Sequence, residues 1–164
     1  MVDAQKKGRV LSLGVCNYGM EHLIELERYI KKLESGIFGH GKGGVISVYQ
    51  GEFTPWLPRT EIVNWCSKRG IAIQASSPLT RGKHLNDPLL EPIMKRTGKS
   101  AAQILIRWSL QMGFAPLPKS ERPEKIEENA HVFEFELTGE EMEMLDTGKS
   151  EPSAFDPTGL PLED

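Results

Sequence analysis

The chain has 164 residues, 38% hydrophobic and 26% charged, with a formal net charge of −3. That length suits one ordinary domain with a real core, and the mild acidity argues against general nucleic-acid binding, which shows a basic face. No long apolar run suggests a membrane span, the first eight residues hold no apolar signal-peptide core, and Cys16 and Cys66 lie too far apart for a metal-type spacing. Reduced thiols and a cytoplasmic protein are the expectation.

A first strand is predicted over Arg9-Val-Leu-Ser-Leu-Gly-Val15. A helix follows, with Leu23, Leu26, Tyr29, Ile30 and Leu33 on one face at spacings of three and four. Next comes a glycine-rich connector. Its Gly39-His-Gly41-Lys-Gly-Gly44 matches G-x-G-x-x-G by letter, but the dinucleotide fingerprint follows a strand and opens a helix, and this one does the reverse. Val45 to Tyr49 reads as the second strand. A helix starting near Pro58 buries Ile62, Trp65 and Cys66, and Gly70 closes it before the third strand, Ile71 to Ala75.

A long helical region runs from Asp87 to Met112, broken at Gly98 and restarted by a capping box from Ser100 to Gln103. Ile104, Leu105, Trp108 and Met112 mark its buried side. The short fourth strand is Phe114 to Leu117. After it, Lys119, Arg122 and Lys125 crowd a helix start, which reads locally as a charged, solvated cap or as a seat for an anion. Thr138-Gly-Glu-Glu141 caps a last helix through Leu145. The tail from Ser150, with prolines at 152, 157 and 161, reads as extended or poorly ordered.

Strands alternating with helices predict βαβ units and a parallel sheet. Four units fit either a small open sheet or half of an eight-stranded barrel, whose complete form needs about 250 residues.

The strand ends carry a more specific pattern. The first ends Leu13-Gly-Val-Cys-Asn-Tyr18, and the second ends at Gln50, before Glu52-Phe-Thr-Pro-Trp-Leu-Pro58. The third runs into Ala75-Ser-Ser-Pro-Leu79 and Arg81-Gly82, and the fourth into Pro118-Lys-Ser120, with Asn129 beyond. In this order and spacing the chain resembles the C-terminal half of an aldo-keto reductase, particularly the fungal-type members, from about Gly8 to Asp146. The resemblance implies an α/β fold that is a partial TIM (β/α)8 barrel, equivalent to strands five to eight with their helices. Residues 1–149 would form that half and residues 150–164 an extended tail.

The resemblance also implies NADP(H) as cofactor. Cys16, Asn17 and Gln50 match the residues that orient the nicotinamide carboxamide, a group needing both donors and acceptors. Ser76 stands where the family usually stacks an aromatic ring on the nicotinamide. Ser77 and Leu79 match the pyrophosphate path. Lys119 and Ser120 match residues that approach the 2′-phosphate, and Lys125 stands at the arginine that clamps it, keeping the charge but losing the planar fork. Glu128 and Asn129 match the adenine site.

The family's catalytic Asp, Tyr, Lys and His come from the other half of the barrel, so no catalytic residue and no metal ligand is assigned here. Tyr18 and Tyr49, with His22, His40, His84 and His131, are read as non-catalytic, and Tyr29 as core. Trp56, Trp65 and Trp108 are read as packing, with Trp56 bordering a substrate pocket in a completed barrel. By resemblance the expected function is an NADP(H)-dependent oxidoreductase of carbonyl compounds, inactive alone, taking a small carbonyl substrate only when completed by the other half. The alternative is a non-catalytic half-barrel module that binds a dinucleotide weakly, or only a protein partner. Exposed parallel strand edges invite a homodimer; neither nucleic acid nor membrane is an expected partner.

Overall fold

A computed structural model describes residues 1–35 and 43–161. Gly39 to Lys42 of the glycine motif, His40 included, lie outside the described residues. The elements in chain order are α1 (Val2–Lys6), β1 (Leu13–Cys16), α2 (Met20–Glu34), β2 (Ile46–Glu52), α3 (Thr60–Ser67), β3 (Ala72–Ser76), α4 (Glu91–Thr97), α5 (Ala101–Gln111), β4 (Ala115–Leu117), α6 (Pro123–Ala130) and α7 (Gly139–Met144). Short 3-10 turns stand at Thr80–Gly82, Pro88–Leu90 and Pro157–Gly159. The strands form one sheet in the order β1-β2-β3-β4, the sequential parallel order of βαβ units. By contacts the chain divides into two compact units: Met1–Gly51, Thr60–Ala72 and Asp156–Asp164 form one, Glu52–Arg59 and Ile73–Phe155 the other.

In the first unit β1 and β2 pair in parallel, with Cys16 opposite Gln50. Gly14 permits their close approach, since a Cβ there would stand 2.7 Å from the Val48 carbonyl oxygen. The strands differ from expectation at their ends. β1 begins only at Leu13, with Leu11 exposed, and β2 starts after the exposed Val45 and extends to Glu52. Short α1 has no buried residue and so left no hydrophobic period to read. Leu23 of α2 is fully buried, but Tyr29 is 53% exposed, correcting its reading as core. Leu26, Ile30 and Leu33 are half-buried, so the face is real but narrower than its spacing suggested.

Helix α3 buries Ile62 and Cys66 as expected. Burial pushes the Cys66 thiol up to about 11, leaving it protonated and inert at neutral pH. Trp65 is half-buried, and the Arg69 guanidinium lies 4.2 Å from its ring centroid. Arg69 also grips Glu27 of α2 with two nitrogens, at 3.2 and 3.0 Å.

In the second unit β3 and β4 pair in parallel, Ser76 opposite Leu117. The helical region breaks at Gly98, whose φ of 66° lies in the left-handed region that glycine tolerates. Ser100 and Gln103 form the anticipated capping box. Ile104, Leu105 and Trp108 are buried, but Met112 is 37% exposed, because α5 ends at Gln111 and Met112 is its cap. Phe114 packs against Phe53 and Trp108, with ring centroids at 5.1 and 6.2 Å.

Side chains of α5 also hold the irregular segment after α6. Gln103 donates to the carbonyls of Glu128 and His131, Arg107 to that of Val132, and Gln111 exchanges two hydrogen bonds with the Leu137 backbone. The His131, Val132 and Leu137 groups among them are backbone that no helix or strand pairs. The first part of the tail, expected to be extended or poorly ordered, is extended and docked. The Glu151 N–H donates to the Trp56 carbonyl, and Ser153 is buried with its N–H on Glu52 Oε1. Among the described residues, no helix is long and apolar enough to cross a membrane and no three His, Cys, Asp or Glu side chains form a metal-binding group.

Candidate cofactor site

Two clusters stand at strand C-terminal ends, one in each unit. In the first unit, β1 ends at Cys16 and the chain turns at Asn17, whose φ of 58° is left-handed. Asn is among the few non-glycine residues that enter this region readily. The turn is fixed from β2: the Asn17 N–H donates to the Gln50 carbonyl at 2.9 Å, and Cys16 Sγ lies 3.8 Å from Gln50 Oε1. Cys16, Asn17 and Gln50 therefore form one cluster, with Cys16 and Asn17 exposed. Beneath it the buried Tyr49 hydroxyl donates to the Tyr18 carbonyl at 2.7 Å. That bond commits this phenol to holding the turn.

In the second unit the loop after β3 carries three non-glycine residues at positive φ: Ser77 (49°), Thr80 (52°) and Arg81 (51°). Such backbone strain persists only where the surroundings impose it. The loop lines a cleft of about 420 Å³ through Ser77, Pro78, Leu79 and Arg81, with Leu117 and Lys119 from the β4 end. A second cleft of about 350 Å³ shares Leu79, Arg81 and Lys119 with the first and continues past Ser120, Arg122 and Lys125 to Glu128 and Asn129. Ser76 ends β3 but lines neither cleft.

The second cleft is cationic, but its charges are mostly paired. Lys119 meets Glu121, Lys125 meets Glu128, and Arg122 lies 3.9 Å from Glu124. The Lys125 ammonium, then the Ser100 hydroxyl, hold the Glu128 carboxyl below the usual carboxylate range. Lys119 does the same for Glu121. The Ser120 hydroxyl accepts from the Arg122 N–H at 3.2 Å, and Pro123 stands at the first position of α6, where its missing N–H costs nothing. Asn129, 8% exposed, lines the cleft with a buried Oδ1 that lacks a hydrogen-bond partner. An orphaned buried acceptor is costly unless something donates to it.

Arg81, in the strand-end series, and Arg122, in the charge cluster, have no site role in the sequence pattern. Arg81 lines both clefts and makes no ion pair among the described residues. Its signal was present in the Arg81-Gly82 pair that follows Ser-Pro-Leu-Thr.

The pattern of the Aldo/keto reductase family matches residues 1–148. The chain belongs to the aldo-keto reductase family. An aldo-keto reductase of Mycolicibacterium smegmatis is 41% identical over 159 residues, which are 93% of this chain and 54% of that protein. Glyoxal reductase of Bacillus subtilis is 36% identical over 143 residues, 86% of this chain and 47% of that one. A Gox0644 mutant solved in complex with NADPH superposes with a TM-score of 0.82 at 30% identity, covering 98% of this chain and 56% of that one. The chain thus spans about half the length of the aldo-keto reductases it matches, and its four-stranded parallel sheet is part of a (β/α)8 barrel.

Proposed function

We propose that this chain is the NADP(H)-holding half of a carbonyl-reducing aldo-keto reductase. The observation that carries the reading is the pair of adjoining clefts, which run from the strained Ser77–Arg81 loop to the orphaned Asn129 acceptor. An extended dinucleotide needs cations at its phosphates and a polar acceptor at its base amino group. Arg81 and Lys119 face the shared stretch of the two clefts and suit a pyrophosphate. Ser120, Lys125 and Arg122 suit a 2′-phosphate, with Lys125 acting as a point charge. Asn129 Oδ1 suits an exocyclic amine, which would relieve its missing hydrogen bond. In the first unit, taken by itself, Asn17 and Gln50 offer donors and acceptors of the kind a carboxamide needs, with Cys16 a weaker partner than a hydroxyl.

When bound, NADPH supplies a hydride for carbonyl reduction. The proton for the carbonyl oxygen needs a positioned acid. Tyr49 is committed to the Tyr18 carbonyl, and Tyr29 lies on an open helix face. On this reading the chain by itself would hold a cofactor without completing the reaction.

Isothermal titration of the purified chain with NADP and NAD tests the reading. Binding of NADP with a preference over NAD is expected, and Arg81→Ala should weaken both by about tenfold, on the scale of one charge-assisted phosphate contact. Absence of heat with either nucleotide at millimolar concentration would refute it.

A further inference from the structure

His84 lies outside both clefts, and aromatic, acidic and hydroxyl groups surround it. Its imidazole stacks on the buried Trp56 indole, with centroids 4.1 Å apart and planes within 10°. Carboxylates stand at both ring nitrogens: Asp87 Oδ2 is 3.4 Å from Nδ1 and Glu151 Oε2 is 3.8 Å from Nε2. The ring is 18% exposed at its side chain. Its backbone N–H donates to Thr80 Oγ1 at 3.1 Å, tying it to the loop that carries Arg81.

The two carboxylates belong to different segments. Asp87 is anchored locally, accepting the Leu89 N–H on Oδ1 at 3.0 Å. Glu151 belongs to the segment after α7, which runs along the Trp56 loop. Thr147 donates to the Pro55 carbonyl at 2.6 Å, Glu151 N–H to the Trp56 carbonyl at 2.8 Å, and Ser153 N–H to Glu52 Oε1 at 2.9 Å. The nearby cations are Lys149, 3.2 Å from Glu151 Oε1, and Lys83, 3.4 Å from the Pro152 carbonyl.

We propose that His84 is a pH-sensitive latch that, when protonated, pins residues 147–153 to the Trp56 loop. A neutral imidazole has one N–H and can donate to one of the two carboxylates, whereas the imidazolium has two and can serve both. The indole face under the ring also favours the cation. An ordinary imidazole gains its charge in the mildly acid range, above the range in which ordinary carboxylates lose theirs. Lys149 holds the other oxygen of Glu151 in both states, so it shares that carboxylate without replacing the histidine. Because His84 also bonds Thr80, tightening the latch steadies the loop beside both clefts. The latch needs no nucleotide.

Hydrogen exchange without nucleotide, corrected for the intrinsic rate at each pH, reads this directly. Protection of the Glu151 and Ser153 amides should rise about three- to fivefold from about pH 7.5 to about pH 5.5, relative to the α5 amide of Leu105. His84→Gln should abolish the rise. Glu151→Gln, which leaves the stacking pair in place, should roughly halve it on the same scale. No rise in the wild type, or a full rise in either variant, overturns the latch.

Discussion

Lys119 and Lys125 each face a carboxylate of their own segment, Glu121 and Glu128, and this pairing sets the terms on which either meets a phosphate. Glu121 is exposed and, among the described residues, held by Lys119, so it competes with an incoming dianion and repels it once displaced. Glu121→Gln should therefore tighten NADP about two- to fivefold while leaving NAD nearly unchanged, in the range of single exposed charge pairs. Added salt should shrink the difference. Equal gains for the two nucleotides would remove Glu121 from 2′-phosphate discrimination. Arg81 shows how residue-scale legibility fails: its identity was plain in the sequence, but its lining of two clefts follows from a φ of 51° that local chemistry does not dictate.

The elements were legible where a local signal was strong. The Ser100–Gln103 and Thr138–Glu141 capping boxes and the Gly98 break each rest on bonds or dihedrals within a few residues. Glu141 has a second task, since Arg96 grips its carboxylate with two nitrogens and also donates to the Glu136 carbonyl. That guanidinium, ahead of the Thr138 cap, holds the Glu141 carboxyl below its ordinary range. A carboxyl depressed on folding stabilises above its unfolded value and loses that contribution as pH falls through the folded one. Thr138→Ala should cost about 1 kcal/mol in denaturant unfolding at neutral pH. Glu141→Gln should shrink the loss of stability in acid, below about pH 4.3. An unchanged acid profile would show that Glu141 has no share in it. Signals that failed were those spread across space. Tyr29 and Met112 fit a helical period yet are exposed, because period identifies a face but not how far a neighbour covers it.

At the scale of the molecule, the four parallel strands and the family match make this chain a portion of an aldo-keto reductase barrel. Its proposed catalytic state follows from what the described residues hold: acceptors and cations suited to a dinucleotide, and a buried tyrosine committed to backbone. Incubated with NADPH and a panel of small aldehydes, the chain should give no sustained loss of reduced-nicotinamide absorbance. Turnover that survives repurification and scales with chain concentration would sink that expectation.

By itself the sequence determined the alternation of strand and helix, the caps, and the order of residues at four strand ends, because these depend on neighbours a few positions apart. The tertiary structure decided what those residues meet. It closed Asn17 against Gln50, left Asn129 Oδ1 buried without a partner, and docked a tail whose composition allowed an extended or a poorly ordered segment. Trp56 and His84 are 28 positions apart in the chain, and Glu151 lies farther still. Their meeting depends on packing among distant segments, which no local pattern records.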